Sequence, residues 1–274
     1  MNAGLKIVNN IQYKNINKQI LQYFENNPGV LLEIGFYFDP NMLNSYFMQY
    51  CYHVKNKVNT HANLHYDMLN LHRFKREFEA EIKLSKLINS DYSIVHLASS
   101  QRENKSYPGI SLIHAIWDNL CLLDQIAKKE DFVFYIENIY RDVYFYTQLF
   151  RELKREGLNN IGFCFDIGHA KVWSRQNLRD WQFFLQELYA MAIPLHVHFH
   201  LNNGQEDEHL SFLEFTKIKG DEFSGYMDYR DVYASLEEEY PEVRKIFEVK
   251  PKFAIMNLEY ITAAMHQELR TMVR

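Results

Sequence analysis

Short apolar runs alternate along the chain with longer stretches in which apolar residues recur every three or four positions. Eight of the runs read as strands: LKIVNN near 5–10, VLLEIGFYF (30–38), KVNTHANL (57–64), SIVHLAS (93–99), FVFYIEN (132–138), IGFCFDIG (161–168), LHVHFH (195–200) and KIFEVK (245–250). Such runs suit strands covered on both faces, as in a parallel sheet. Among the intervening stretches, NKQILQYFENNPG (17–29) has helical spacing and a Pro-Gly stop, and NMLNSYFMQYCYHV (41–54) reads as helix. A long charged amphipathic pattern runs from about Asp67 to Asn89, and ISLIHAIWDNLCLLDQIAKK (110–129) is a strong helix. Eight strands spaced by helices, without a linker-like break or an internal repeat beyond the unit itself, predict an α/β fold. The form expected at this length is a closed (β/α)8 TIM barrel occupying 1–274 as a single domain. An open doubly wound sheet is the weaker choice, because no glycine-rich phosphate loop follows the first strand.

Composition narrows the function classes. Hydrophobic residues make up 47% of the 274 positions, enough to bury a large core. A formal charge of -5 leaves no overall basic footprint, which disfavours nucleic acid as a partner without excluding a local patch. The three cysteines, Cys51, Cys121 and Cys164, are odd in number and widely spaced, which suits a reducing compartment and no disulfide framework. No stretch reaches the apolar length of a membrane span and the first ten residues lack a signal pattern, so no membrane partner and a cytoplasmic location are expected. Nothing in the sequence fixes the oligomeric state.

The chemistry lies in where ionisable residues interrupt the apolar runs. His61 falls near the end of the third strand, His96 in the fourth, Glu137 in the fifth, Asp166 in the sixth and Glu248 in the eighth. The seventh carries His196, His198 and His200, alternating with Leu195, Val197 and Phe199, so that an extended strand presents the three imidazoles on one face. Six consecutive strands thus bring a metal-capable side chain toward the carboxyl ends, where barrels of this kind place their sites. A lone histidine in an apolar strand is more often a hydrogen-bonded core residue than a ligand. Glu137 and Glu248 are harder to dismiss, because an unpartnered buried carboxylate costs several kcal/mol and a cation removes that cost. Imidazoles and carboxylates without a thiolate in the set suit Zn²⁺, Mn²⁺ or Fe²⁺, and Cys164 is read as filling the barrel interior.

THANL around His61, IVHLAS around His96, IEN around Glu137, FDIGHA spanning Asp166 to His169, HVHFH, the Gly-x-x-Asp-x-His pattern of 204–209 and FEVK around Glu248 occur in one order. In that order the chain resembles the xylose isomerase-like barrels, which include sugar isomerases, sugar epimerases and endonuclease IV. The resemblance runs over about 30–250, and FDIGHA and the 204–209 pattern are its most specific parts.

The endonuclease branch implies three metals. Glu137 would bridge two of them, with His61 and His96 completing the first; Asp166, a seventh-strand histidine and Glu248 would complete the second; His169, Asp207 and His209 would hold the third. The epimerase branch needs only Glu137, Asp166, a seventh-strand histidine and Glu248. Aligning on Asp-x-His selects His198 for that histidine, whereas reading HLNN as the endonuclease-like His-x-Asn-Asp selects His200; His196 is read as a deep structural residue. The family often has Asp where this chain has Leu201 and Asn203, and Pro-Leu-Gly-Glu-Gly where it has Ser211 to Phe215. The substrate pocket therefore matches less well than the metal cage.

The resulting expectation is a divalent-metal enzyme, binding two or three ions, that acts on a sugar or sugar phosphate as an isomerase or epimerase, with Glu137 and Glu248 catalytic. Lys171 and Lys250 are the candidate phosphate-neutralising, substrate-binding residues. A multinuclear phosphoesterase is the runner-up. An iron-dependent peptide-modifying oxidase and a non-catalytic binding barrel are further alternatives.

Overall fold

A computed structural model describes residues 2–8, 11–36, 58–174, 178–215 and 229–272. Eight parallel strands close in sequence order into a barrel: β1 (Ala3–Val8), β2 (Leu31–Gly35), β3 (Val58–His61), β4 (Tyr92–Val95), β5 (Val133–Glu137), β6 (Ile161–Asp166), β7 (Leu195–Phe199) and β8 (Arg244–Phe247), with β8 returning to pair β1. All eight coincide with the apolar runs, because each run offers residues to both the barrel interior and the surrounding helices. Several strands stop earlier than their runs. β3 ends at His61, β4 at Val95 and β8 at Phe247, so His96 and Glu248 stand one residue past the last ladder position, where the chain turns out of the barrel.

The helices around the barrel are α1 (Lys14–Asn26), α2 (Lys75–Leu87), the short α3 (Gln101–Lys105), α4 (Ser111–Glu130), α5 (Val143–Arg155), α6 (Ile167–Trp173), α7 (Leu178–Ala190), the one-turn α8 (Phe212–Phe215), α9 (Tyr229–Glu239) and α10 (Ala254–Met272). In α4, Leu112, Ile113, Ile116, Leu120 and Leu123 form the buried stripe that a 3.6-residue period requires. α5 buries Tyr146, Leu149, Phe150 and Leu153 in the same way, and Asp142 caps it by accepting the Phe145 N–H at 3.0 Å. The helix expected over 41–54 lies outside the described residues.

The helix expected from Asp67 begins only at Lys75, and it ends at Leu87 rather than Asn89. Asp67 explains the late start. Its Oδ1 accepts from the Leu69 and Asn70 amides and from the Asn70 side chain, each at 3.0 Å, which holds the segment in a turn that competes with helix. Asn89 has a left-handed φ of 60°, which closes the other end.

Candidate metal centre

The site grows from the strand ends. Glu137, the last residue of β5, is almost fully buried and lies at the middle of a ring of imidazoles. Its Oε2 is 2.7 Å from His96 Nε2 and 3.2 Å from His61 Nε2, while its Oε1 is 3.0 Å from His198 Nδ1 and 3.4 Å from His169 Nδ1. His61 Nδ1 is 3.1 Å from the Ala62 carbonyl; donating its proton there leaves an Nε2 lone pair facing the site. Glu248 meets the same His198 Nδ1 with its Oε2 at 2.9 Å. Its other oxygen is 2.6 Å from the Lys6 ammonium.

Asp166 serves two purposes. Its side chain caps α6, accepting the His169 N–H at 2.7 Å, and its Oδ1 also lies 3.0 Å from His200 Nε2. Asn138 fixes the Asp166 backbone from both sides, donating to its carbonyl at 2.8 Å and accepting its N–H at 2.6 Å. One turn into α6, His169 points its Nε2 at Asp207 Oδ2, 3.4 Å away, and His209 Nε2 reaches the same oxygen at 3.2 Å. His209 Nδ1 is 2.8 Å from the Glu248 carbonyl, an orientation in which it donates its proton and keeps Nε2 toward Asp207. His200 and His209 stack with centroids 4.2 Å apart. The fit of His200 depends on Gly168, where a Cβ would overlap its imidazole ring.

Around the cleft, three sets of donor atoms result, each with all its atoms within 4.8 Å of one another: His61, His96 and Glu137; Glu137, Asp166, His198 and Glu248; and His169, His200, Asp207 and His209. The two strand histidines therefore divide. His198 joins the quartet and His200 the set built around Asp207, while all three of the histidines expected to share a face are fully buried.

The electrostatics set carboxylates and imidazoles against one another. Burial alone would raise Glu137, yet His198 and His169 hold its carboxyl well below the usual range. Glu248 is likewise held low against its burial, chiefly by Lys6 and His198. Burial would lower His169, but Asp166, Glu137 and Asp207 push it up to about 10; burial would also lower His209, but Asp207 and Glu248 push it up to about 9. His61, by contrast, is lowered to about 4 by burial and by Lys6.

The donor set fits a divalent cation. Asp166 Oδ2 and His200 Nδ1 are buried without a hydrogen-bond partner among the described residues, His169 Nδ1 and His200 Nε2 face carboxylate oxygens at 3.4 and 3.0 Å, and nitrogen and carboxylate oxygen are the ligands of Zn²⁺, Mn²⁺ and Fe²⁺.

An open cleft of about 730 Å³ lies over these groups, with His96, Glu137, His169 and Glu248 in its floor and Tyr140 and Trp173 in its wall. Lys250 also lines it, 3.6 Å from Glu214. Lys171 does not; its ammonium turns to the Asn202 carbonyl at 3.3 Å.

Two charged residues of the interior escape the strand-by-strand reading. Lys6 on β1 and Glu33 on β2 are adjacent in register, and Glu33 approaches His198 Nε2 at 3.1 Å and His196 Nε2 at 3.4 Å. The signal that exposes Glu137 was present in both, a lone charge inside an apolar run, in LKIV and VLLEIG.

A profile described as a xylose isomerase-like TIM barrel matches residues 58–268. The chain belongs to that family. Among the curated proteins, the family member is 26% identical over 111 residues to a probable AP endonuclease of African swine fever virus, a match covering 34% of this chain and 38% of that relative. Among solved structures, it is similar to the TTHB071 protein of Thermus thermophilus, soaked with ZnCl2, at 18% identity and a TM-score of 0.65 over 96% of this chain and 97% of that one. It is also similar to the 3-keto-D-glucoside 4-epimerase YcjR of E. coli, at 13% identity and a TM-score of 0.66 over 96% and 99%. At these identities the structural likenesses speak for the barrel alone. No helix among the described residues is long and apolar enough to cross a membrane.

Proposed function

We propose that this barrel is a divalent-metal-dependent isomerase or epimerase acting on a sugar or sugar phosphate. The observation that carries the reading is the pair of carboxylates, Glu137 and Glu248, which meet one histidine nitrogen at 3.0 and 2.9 Å and both line the cleft. A cleft of about 730 Å³ suits a small molecule, and the epimerase among the structural neighbours acts on a glucoside. Glu137, Asp166, His198 and Glu248 would hold a cation, which when bound polarises a substrate oxygen and makes the neighbouring C–H more acidic. Glu248, kept ionised beside Lys6, takes the proton from that carbon. Glu137, ionised among the imidazoles, passes to the neighbouring or inverted carbon a proton drawn from protonated His169, whose Nδ1 is 3.4 Å from its Oε1, and solvent restores both groups after each turnover. Tyr140 and Trp173 offer an apolar wall for a sugar ring, and Lys250 a charge for a phosphate at the mouth.

The test is proton exchange. With Mn²⁺, Co²⁺ or Zn²⁺ and a panel of ketoses and their phosphates in D2O, deuterium should enter the substrate at carbon, followed by NMR, and Glu248→Gln should slow it by about 100-fold or more. Cleavage of a phosphodiester with no deuterium incorporated from any sugar would reject this reading.

A second reading, phosphoester hydrolysis, is favoured by the set His169, His200, Asp207 and His209, which a single-metal isomerase does not require. The viral relative's description as a probable AP endonuclease points the same way. Hydrolysis of bis(p-nitrophenyl) phosphate or incision of abasic duplex DNA, lost in Asp207→Ala while deuterium exchange persists, would assign that chemistry to the additional cluster.

A further inference from the structure

Below the cleft lies a fourth donor set, of different chemistry. Cys164 on β6 is paired in register with His196 on β7, and these two with His198 bring one donor atom each within 4.8 Å of one another. Glu33 approaches the two imidazoles from β2, its Oε2 3.4 Å from His196 Nε2 and 3.2 Å from His198 Nε2, standing beside that set rather than within it. None of the four lines the cleft, and all four are fully buried. The Nδ1 of His196 makes no hydrogen bond among the described residues, and its Nε2 has only the Glu33 carboxylate at 3.4 Å. An imidazole sealed inside a barrel with one nitrogen unpartnered and the other held only by a long contact has lost hydration that little repays, and such groups call for a ligand.

We propose that Cys164, His196, His198 and Glu33 form a closed zinc site in the barrel core, distinct from the metal centre of the cleft. Two nitrogen or oxygen ligands at about 2.0–2.1 Å from a tetrahedral Zn²⁺ stand about 3.3–3.4 Å apart, and the Glu33 to His196 and His198 separations already have that value within a few tenths of an ångström. A thiolate, a carboxylate and one neutral imidazole face the cation together with His198, which must give up its ring proton to bind through both nitrogens; the Lys6 ammonium, 3.8 Å from Glu33, offsets the extra negative charge, so the filled site stays close to neutral where an isolated charge would be most costly. The thiolate selects zinc over the harder Mn²⁺ and Mg²⁺, and four protein ligands with no route to solvent make the site structural. His198 then stands between two ions, its Nδ1 toward Glu137 and Glu248 and its Nε2 toward Glu33. The inference holds whichever reaction the cleft performs.

Because Cys164 supplies the sulfur, spectroscopy separates this site from the nitrogen and oxygen donors above it. The full chain, produced in cobalt-supplemented medium with Cys51→Ala and Cys121→Ala so that Cys164 is the last of its three thiols, should show a near-ultraviolet sulfur-to-cobalt charge-transfer band. Adding Cys164→Ser should abolish the band and remove one metal per chain, whereas adding Glu137→Ala should deplete the cleft and leave the band in place. A parent protein with no band, or a Cys164→Ser protein that keeps it, overturns the proposal. Should Cys164→Ser fail to fold, X-ray absorption of the zinc-grown parent decides: a sulfur neighbour at about 2.3 Å supports the site, and a shell of nitrogen and oxygen alone rejects it.

Discussion

Gly168 sets the position of His200 by having no side chain. A Cβ there would overlap the imidazole, and the ring has no room to retreat because His209 stacks on it 4.2 Å away. Gly168→Ala should therefore displace His200 from Asp166 and Asp207 and weaken metal binding by about tenfold or more, measured by competition with a chromophoric chelator. Unchanged affinity would remove His200 from the ligand set. The same residues set the pH response of the metal-free protein. His61 and His196, lowered to about 4 largely by burial, are neutral in the folded chain and charged in the unfolded one between about pH 4 and 6.5, so stability falls as pH drops through that window. His169 and His209, raised to about 10 and about 9 by the carboxylates around them, have the opposite sign: their contribution is full below about pH 6.5 and is lost as pH rises toward 9 and 10. Urea unfolding of EDTA-treated protein should show a maximum near pH 6.5, and saturating metal should flatten the alkaline limb. A stability that rises from pH 7 to 9 without metal would contradict these assignments.

At the scale of elements, α2 carries a buried acid that does not belong to the metal centre. Glu81 is 2% exposed, accepts the Asn63 N–H at 3.2 Å, and its carboxyl is pushed up to about 8 by burial. It ties α2 to the segment following β3, and it must take up a proton to do so below that pH. The folded chain binds this proton between about pH 4.5 and 8 and the unfolded chain does not, so the fold loses stability as pH rises through the window. Glu81→Gln should be nearly neutral at pH 4.5 and raise the thermal midpoint at pH 8, read by calorimetry; an equal effect at both values would place an ionised Glu81 in the fold. β7 shows how much an element reveals by itself. Its alternation assigned His196, His198 and His200 to one face, and all three are buried. Periodicity had no means of dividing them between the cleft quartet, the Asp207 cluster and the core, since that depends on what β2, β6 and the 204–209 loop bring to each height of the barrel.

For the molecule as a whole, the interior holds an unusual density of charge for a barrel core: Lys6, Glu33, His61, Glu137, Asp166, His196 and His198 all lie on the strands of one ring and are buried. Cations that bind this arrangement only when it is folded stabilise it by mass action, about 4 kcal/mol per site at a thousandfold excess over Kd. For a chain of this size that corresponds to roughly 8–16 °C in thermal midpoint. Differential scanning calorimetry with and without EDTA should show a shift of that order, smaller in Glu137→Ala. An identical midpoint with and without chelator would mean that the charges balance one another with no ion.

The sequence by itself determined the barrel, since eight apolar runs with helices between them have few other ways to bury both faces of a parallel sheet, and it placed Glu137, Asp166, His169, Asp207, His209 and Glu248 at strand ends and in the loop after β7. Lys6 and Glu33 are visible as charges in apolar strands too, but the strand-by-strand reading passes over them, since without known partners such charges carry no direction. Only the closed barrel decided which groups meet. Register sets Cys164 beside His196 and Asp166 beside His198, closure brings β1 and β2 against β8 and β7, and Gly168 opens the space that His200 fills. Metal sites are made from distances between residues far apart in the chain, and those distances exist only once the last strand has returned to the first.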